Sequence, residues 1–362
     1  MKKFLMLSTF IVVSLLPTIG NTQNTRPQTP KGPFEYVIKE VVITNPKGGH
    51  TLAGTLTMPK KGKAFKAAIM VTGSGPQDRD ETLMGHKPFA IIADDFAKQG
   101  IAILRVDDRG INKSRGNFET ATSADFASDI AACFDFLKRQ KKIDKTKIGL
   151  IGHSEGGMVA AMTAAMRPEV AFIISLAGTG VNGKSVLYQQ NMDIMMAAGA
   201  SKKDAEANRN NVMRMLDIVM TESDSAKATD RLMLMLDTVL GAQKAMIPNL
   251  DEFKRNQIAG INSDWMRFFL KYEPSTDWKK VKCPVLILNG DKDLQVNAEV
   301  NTKAIESALK SGENTQFKTV NFQGMNHLFQ TCEKCTIQEY DQLEESFSVQ
   351  VLEEMRKFIR NL

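Results

Sequence analysis

The segment Lys147-Ile-Gly-Leu-Ile-Gly-His-Ser-Glu-Gly-Gly157 predicts a strand, a tight turn and the start of a helix. Its apolar first half is typical of a buried strand, and the alanine-rich run after Gly157 favours a helix. The turn has the pattern Gly-x-Ser-x-Gly, with Ser154 at its centre. A serine in such a turn adopts a strained backbone that exposes its hydroxyl above the sheet. We therefore expect Ser154 to be a nucleophile, while a plain glycine-rich turn is the structural alternative.

Two backbone N–H groups are candidates to stabilise an oxyanion beside that serine. Glu155 N–H would lie at a helix N-terminus, where donors are unpaired and the helix dipole favours negative charge. A second donor is expected from the loop Gly73-Ser-Gly-Pro-Gln-Asp-Arg-Asp80, which follows an apolar strand. In this loop the Ser74 N–H is the first choice and the Gly75 N–H the second. The loop lacks both the Walker lysine pattern and Gly-x-Gly-x-x-Gly, which makes phosphate binding the weaker interpretation.

A serine nucleophile needs a base, and the chain has four histidines. After a nucleophile elbow the order along the chain is serine, acid, histidine, and only His327 lies C-terminal to Ser154. Residues 316–322 predict a last strand, so His327 would stand in the loop that follows it. A solvated loop histidine is the alternative. The other histidines are predicted in an early turn, in a loop before a helix and beside the serine: His50, His86 and His153.

The acid is expected where another buried strand ends. Residues 284–289, Pro-Val-Leu-Ile-Leu-Asn, are typical of a parallel strand, and Gly290-Asp-Lys-Asp293 follows. Asp291 and Asp293 would share a face in an extended chain, whereas in a turn only one of them can reach the imidazole. The other would brace the turn, and either can be a solvated loop aspartate. Residue spacing leaves this choice open.

These motifs resemble those of a known superfamily. They are Thr72-Gly-Ser-Gly-Pro-Gln-Asp-Arg-Asp80, Arg105-Val-Asp-Asp-Arg-Gly110 with Ser114, Gly152-His-Ser-Glu-Gly-Gly157, Gly290-Asp-Lys-Asp293 and Asn326-His327. Together they resemble the α/β-hydrolases, most closely secreted bacterial esterases and serine aminopeptidase-like hydrolases, from about residue 35 onward. The resemblance implies Ser154 as nucleophile, Asp293 as acid and His327 as base. One departure bears on Ser74, because Thr72-Gly73 stands where lipases carry His-Gly.

The remaining pattern agrees with an α/β-hydrolase fold. An N-terminal antiparallel hairpin is followed by alternating strands and helices, which predicts a mostly parallel central sheet with helices on both faces. We expect the core to comprise residues 34–182 and 279–362. Residues 183–278 are helical in pattern and rich in methionine, and they predict an inserted cap over an acyl or aromatic pocket. For each single methionine, ordinary helix packing is the alternative.

The N-terminus predicts export. Lys2-Lys3 precede a short apolar run, which is typical of a signal peptide over residues 1–20. The run is too short for a comfortable membrane span, so no stable membrane anchor is expected. Residues 21–33 predict a flexible leader. We therefore expect a secreted or periplasmic protein.

Export bears on the cysteines, because disulfides persist outside the cytosol. Cys332-Glu-Lys-Cys335 follows the His327 loop and is expected to close a small disulfide, while Cys133 and Cys283 are expected to be buried. Neither a redox centre nor a zinc site has its usual context, and we expect no metal and no cofactor. The 47 basic and 41 acidic residues give a net charge of +6. The basic residues are dispersed, so nucleic-acid binding is not expected.

These expectations converge on acyl transfer by a serine hydrolase. A small-molecule carboxylic ester is the favoured substrate, and a short peptide or amide, cleaved by the same residues, is the second interpretation. A free amino terminus would call for an acidic pocket, which distinguishes the two. A binding protein that keeps the fold without catalysis is the remote alternative.

Overall fold

The computed structural model describes residues 25–362. The predicted signal peptide, residues 1–20, lies outside the described residues. One sheet of eight strands runs through the described chain in the order β1-β2-β4-β3-β5-β6-β7-β8. The strands are β1 (Tyr36–Asn45), β2 (His50–Pro59), β3 (Phe65–Val71), β4 (Ala102–Val106), β5 (Ile143–His153), β6 (Ile173–Leu176), β7 (Val285–Gly290) and β8 (Phe317–Phe322).

The sheet is antiparallel at one edge and parallel elsewhere. β2 pairs antiparallel with both β1 and β4, and every pair from β4 to β8 is parallel. This is the predicted hairpin followed by a parallel sheet. Because the carboxyl ends of parallel strands meet at one edge, the loops after β3, β5, β7 and β8 are brought together there.

Helices cover the sheet and fill the interval between β6 and β7. They are α1 (Pro88–Lys98), α2 (Ser123–Lys138), α3 (Glu155–Met166), α4 (Gly183–Ala197), α5 (Lys202–Thr221), α6 (Ser225–Leu240), α7 (Leu250–Ile261), α8 (Asp264–Lys271), α9 (Ser275–Trp278), α10 (Ala298–Ser311) and α11 (Val349–Arg360). Two short 3-10 helices span Gly241–Met246 and Ile337–Gln342. Between β6 and β7 the described chain has only helices, as the sequence pattern predicts.

Each face of the sheet has its own hydrophobic core. Ile69 and Val71 of β3 belong to a cluster with α2 and α3, whereas Ala68 and Met70 belong to a cluster with α1 and α11. Alternate side chains of a strand point to opposite faces, so a continuous apolar strand requires helices on both sides. This explains why β3 is apolar from Ala67 to Val71.

The helices α4–α9, here called the inserted helices, have a core that continues the first cluster. Met215, Leu216 and Leu236 are fully buried in it. Other methionines of the insert lie at the surface, with Met196 45% and Met246 60% exposed. Across residues 25–362, no helix combines the length and apolar character that crossing a bilayer requires.

Two side chains anchor the start of the described chain. A flexible leader is expected over residues 21–33; in its described part Arg26 and Gln28 contact distant loops, while residues 31–33 are exposed. The Arg26 guanidinium donates to the carbonyl oxygens of Met84, at 2.9 Å, and Leu343, at 3.0 Å. Gln28 Nε2 donates to the Phe347 carbonyl at 2.7 Å. These partners are more than 50 residues away along the chain, which is why local composition does not predict the contact.

Candidate active site

Ser154 stands at the sharp turn between β5 and α3. Its backbone has φ 54° and ψ −122°, a conformation that L-residues rarely adopt, and its N–H donates to the Leu176 carbonyl at 2.8 Å. The flanking glycines are required by space. A Cβ on Gly152 would lie 2.1 Å from the Gly156 carbonyl oxygen, and one on Gly156 would lie 2.2 Å from that of Val71. The turn is therefore the strained strand-to-helix elbow that the sequence predicts.

Asp293 and His327 are joined by a short, buried contact. His327 Nδ1 lies 2.7 Å from Asp293 Oδ2, with side-chain exposures of 4% and 0%. The other carboxylate oxygen of Asp293 accepts the N–H groups of Gln295, at 2.8 Å, and Val296, at 2.9 Å. Two backbone donors thus hold the carboxylate in one orientation.

The structure separates the two aspartates that residue spacing leaves open. Asp291 Oδ1 accepts the Gly324 N–H at 2.7 Å and links the loop after β7 to the loop after β8. It therefore points toward the backbone of the neighbouring loop, while Asp293 contacts His327.

Ser154 and His327 line one cavity of about 150 Å³. Within the described chain no hydrogen bond joins their side chains directly. Catalytic hydrogen bonds are often long when no substrate is present, so this geometry is compatible with proton transfer. The cavity opens above the elbow, at the edge where the parallel strands end.

The loop after β3 approaches the elbow closely. A Cβ on Gly73 would lie 3.2 Å from the Cβ of Ser154. The Gly73 N–H is already used, because it donates to Glu81 Oε1 at 2.7 Å. The Ser74 carbonyl accepts from Gln77 Nε2 at 3.0 Å. Ser74 itself lines the cavity, and the described residues offer its N–H no hydrogen-bond acceptor.

Glu155 is the first residue of α3, and its N–H cannot be paired within the helix. Its side chain is buried, with 2% exposure. Glu155 Oε1 accepts from Ser123 Oγ at 2.6 Å and from Trp265 Nε1 at 2.8 Å. Burial raises the pKa of this carboxyl, against the effect of these hydrogen bonds, which lower it.

His153 also lines the cavity, and it contacts both loops that border it. Its Nδ1 lies 3.0 Å from Glu81 Oε2, and its Nε2 lies 3.0 Å from the carbonyl oxygen of His327. Burial disfavours the charged imidazole, but the Glu81 carboxylate and the His327 carbonyl outweigh it and raise the pKa of His153. The sequence motif places His153 on the wrong side of the turn for catalysis, but it does not predict that His153 bridges Glu81 and His327.

The remaining two histidines are buried among other partners. His50 Nε2 lies 2.8 Å from Asp129, and its Nδ1 lies 3.0 Å from the Gly48 carbonyl. His86 contacts Ser346 Oγ at 2.6 Å and the Tyr340 carbonyl at 2.8 Å. Both ring nitrogens of each are thus engaged away from Ser154, which leaves His327 as the histidine whose ring lies beside an aspartate at the site.

A disulfide and a buried carboxylate restrain the segment that follows His327. Cys332 and Cys335 form the expected disulfide. The buried Glu339 carboxylate accepts the N–H groups of Glu333, at 3.1 Å, and Lys334, at 3.2 Å. Cys332, Cys335 and Glu339 are close enough to suggest a metal site, but the disulfide removes the thiolates that would bind the ion. Of the other two cysteines, Cys133 is buried, as expected, and Cys283 is only half-buried.

The loops of the sheet line the polar part of the cavity, and the inserted helices α4 and α8 contribute most of its large apolar side chains. Among the aromatic residues near the end of the insert, Trp265 and Phe269 line the cavity, whereas Phe268 stacks on Tyr272 with ring centroids 5.2 Å apart. Residue spacing along α8 places Trp265 and Phe269 on one face, since they are four apart. This four-residue spacing is the sequence feature from which a shared position of Trp265 and Phe269 could be predicted.

Comparison with known proteins agrees with this architecture. Residues 47–317 match the model of the X-Pro dipeptidyl-peptidase (S15) family. The chain is 25% identical over 278 residues to esterase EstD of Thermotoga maritima, which covers 76% of this chain and 58% of that relative. The chain thus spans under two thirds of that relative's length.

Solved structures share the fold at low identity. An esterase of Pyrococcus furiosus superposes with a TM-score of 0.56 at 15% identity, covering 94% of this chain and 98% of that one. Est1E of Butyrivibrio proteoclasticus, solved with ferulic acid bound, has a TM-score of 0.51 at 19% identity and covers 89% of this chain and 98% of its own. The sheet order, the elbow and the family match lead to one assignment: this chain has the α/β-hydrolase fold and belongs to the X-Pro dipeptidyl-peptidase (S15) family.

Proposed function

We propose that this protein is a serine hydrolase that cleaves small carboxylic esters through an acyl-enzyme intermediate. The observation that carries the proposal is the 2.7 Å contact between Asp293 Oδ2 and His327 Nδ1. His327 also lines the cavity that contains Ser154 of the elbow. The similarity to an esterase of Thermotoga maritima supports an ester as substrate.

In this mechanism Ser154 Oγ attacks the ester carbonyl while His327 Nε2 takes its proton. Asp293 accepts the Nδ1–H of His327, which leaves Nε2 free to act as base and stabilises the imidazolium that forms. His327 then returns the proton to the leaving alcohol as the carbon–oxygen bond breaks. Water, deprotonated by His327 in turn, attacks the acyl-enzyme and releases the carboxylic acid and Ser154.

The oxyanion of each tetrahedral intermediate requires donors aimed at the carbonyl oxygen. We assign this role to the N–H groups of Glu155 and Ser74. The first is unpaired at the start of α3, and the second lies on the loop that approaches Ser154. Gly73 does not qualify, because Glu81 already accepts its N–H.

An aminopeptidase or amidase is the second candidate, and the family match favours it. A peptidase that binds a free amino terminus needs an accessible carboxylate near the nucleophile. Among the described residues that line the cavity, Glu81 is the acidic one, and it is 5% exposed. Its two oxygens face the Gly73 N–H and His153, so no free carboxylate is left for an ammonium group. This observation supports the ester over the peptide.

We further propose that the protein works outside the cytosol, in the periplasm or after secretion. The Cys332–Cys335 disulfide supports an oxidising compartment, in agreement with the N-terminal pattern of residues 1–20. Small-molecule substrates are the proposed partners.

The test compares p-nitrophenyl esters with aminoacyl-p-nitroanilides, using wild type and Ser154→Ala. We expect ester turnover that is lost in the variant, together with phosphonate labelling of wild type alone. Turnover of the anilides but not of the esters would replace the esterase by the peptidase. Inertness toward the esters, the anilides and the phosphonate would leave a binding protein with this fold.

A further inference from the structure

Two inserted helices contribute apolar side chains to the cavity above Ser154. Val186 and Leu187 come from α4, while Trp265, Met266 and Phe269 come from α8. Gln190 of α4 and the indole N–H are the hydrogen-bonding groups that these two helices bring to the cavity, and their other lining side chains are apolar. An apolar group attached to the ester carbonyl is the part of a substrate that fits such walls.

The position of Trp265 is determined by two contacts. Its Nε1 donates to Glu155 Oε1 at 2.8 Å, and its ring stacks on Phe269 with centroids 5.1 Å apart and planes 10° apart. An indole held at both its polar edge and its face has little freedom to rotate. It therefore behaves as a fixed wall.

The anchor of this wall is the residue next to the proposed nucleophile. Glu155 is itself held by Ser123 Oγ at 2.6 Å, so its carboxylate connects α2, the elbow and α8. Burying an acid is costly unless hydrogen bonds compensate, and Trp265 supplies one of those that do. The inserted helices are thus positioned relative to Ser154 by a side chain of the elbow.

We propose that the hydrogen bond between Trp265 and Glu155 sets the depth of the acyl pocket, so that the enzyme takes short acyl groups. This inference rests on the proposed ester hydrolysis. The cavity volume is about 150 Å³. A protein cavity of that volume accommodates benzene, and since this volume includes the space beside Ser154 and His327, it limits the acyl group to about six carbon atoms. Glu155 acts here as a positioning residue through Trp265.

The experiment measures kcat/KM for p-nitrophenyl acetate, butyrate, hexanoate and octanoate. Wild type should prefer butyrate or hexanoate to octanoate. Trp265→Phe, which keeps an aromatic ring and removes the donor, should raise the octanoate-to-butyrate ratio about tenfold, mainly through KM. Glu155→Met, which removes the acceptor at similar size, should shift the ratio in the same direction. The double variant should add little, because both changes break one contact.

Two controls separate this role from general destabilisation. Glu155→Gln keeps an oxygen that can accept from the indole, so its ratio should stay near that of wild type. Trp278→Phe replaces the other tryptophan, which is fully buried and absent from the cavity walls, and should leave the ratio unchanged. An unchanged ratio in both Trp265→Phe and Glu155→Met, with only the melting temperature lowered, would overturn the proposal.

A binding measurement tests the acyl pocket independently of ester turnover. Titration calorimetry with hexanoate and octanoate should show tighter binding of hexanoate to wild type and a gain for octanoate in Trp265→Phe. If wild type hydrolyses no ester yet shows this binding pattern, the proposal of ester hydrolysis is wrong and the assignment of the acyl pocket stands. If esters are hydrolysed and octanoate is the best substrate of wild type, the pocket assignment is wrong and the hydrolysis stands.

Discussion

The Nε2 of His153 lies 3.0 Å from the carbonyl oxygen of His327, so the residue before Ser154 supports the backbone of the proposed base. The opposite nitrogen of His153 faces Glu81, whose other oxygen holds the Gly73 N–H. One chain of contacts therefore links the loop after β3 to the loop after β8. Both loops border the cavity, and their separation determines how Ser154, His327 and the proposed oxyanion donors are arranged.

Glu81→Gln should lower kcat/KM for esters by about 10- to 100-fold, because loosening this chain misplaces both loops by a fraction of an ångström to an ångström. The matched control is Glu40→Gln. Glu40 lies on β1, and its largely exposed carboxylate pairs with Arg79 of the loop that also contains Glu81. Steady-state kinetics on p-nitrophenyl butyrate measures both. Equal activity of Glu81→Gln and wild type would show that the loops keep their positions without this contact.

The contact between His153 and Glu81 should make the stability of the fold depend on pH. The folded-state pKa of His153 is raised above its ordinary value of 6.5, so the stabilisation is fully present below pH 6.5 and is lost as pH rises through the folded pKa. Glu81→Gln removes the carboxylate that raises this pKa. Melting temperatures from pH 5 to 9 should therefore fall more steeply in wild type than in the variant. Parallel curves would contradict a charged His153.

Asp293→Asn should lower kcat by about 10⁴-fold, because an amide can hold His327 in the wrong tautomer. Asp291→Asn is the natural control, since this side chain accepts the Gly324 N–H and does not contact the imidazole. We expect a loss of no more than a few-fold there. Burst and steady-state kinetics of the two variants provide the measurement, and a larger loss for Asp291→Asn would reverse the assignment.

Gly156→Ala should destabilise the fold by about 3 kcal/mol or more, since its Cβ would lie 2.2 Å from the Val71 carbonyl oxygen. Gly100→Ala tests the cost of backbone conformation alone. Gly100 has φ +89°, and no atom lies within 4 Å of the place that an alanine methyl group would take, so about 1 kcal/mol is expected. Urea unfolding compares the two. Similar losses would indicate that the elbow relaxes to accept a side chain.

Reducing the Cys332–Cys335 disulfide should cost about 2 kcal/mol at most, because the bond closes a loop of only four residues. Glu339 keeps its contacts with the loop amides after reduction, so His327 should remain in place. Unfolding with and without dithiothreitol gives the stability, and the double serine variant gives a reductant-free comparison. Complete loss of ester hydrolysis on reduction would show that the disulfide, and not Glu339, positions the loop.

Local pattern predicts much of this molecule. The alternation of apolar strands with helices indicates the parallel sheet, and the glycines around Ser154 indicate the elbow, because both depend on residues close together in the chain. His327 also follows from chain order. The choice of Asp293 rests on family resemblance, and the distance to His327 agrees with it.

Other features depend on packing between distant segments. Glu81 is 72 residues before His153, and Glu155 is 110 residues before Trp265, so no periodicity relates the partners. The attachment of Arg26 to the loops near residues 84 and 343 has the same origin. The sequence alone therefore indicates which elements form and which side chains are candidates for reactive chemistry, through steric and hydrophobic rules that act over a few residues. Which loops support one another, and how deep the cavity is, depends on side chains that meet only after the sheet and the inserted helices have packed.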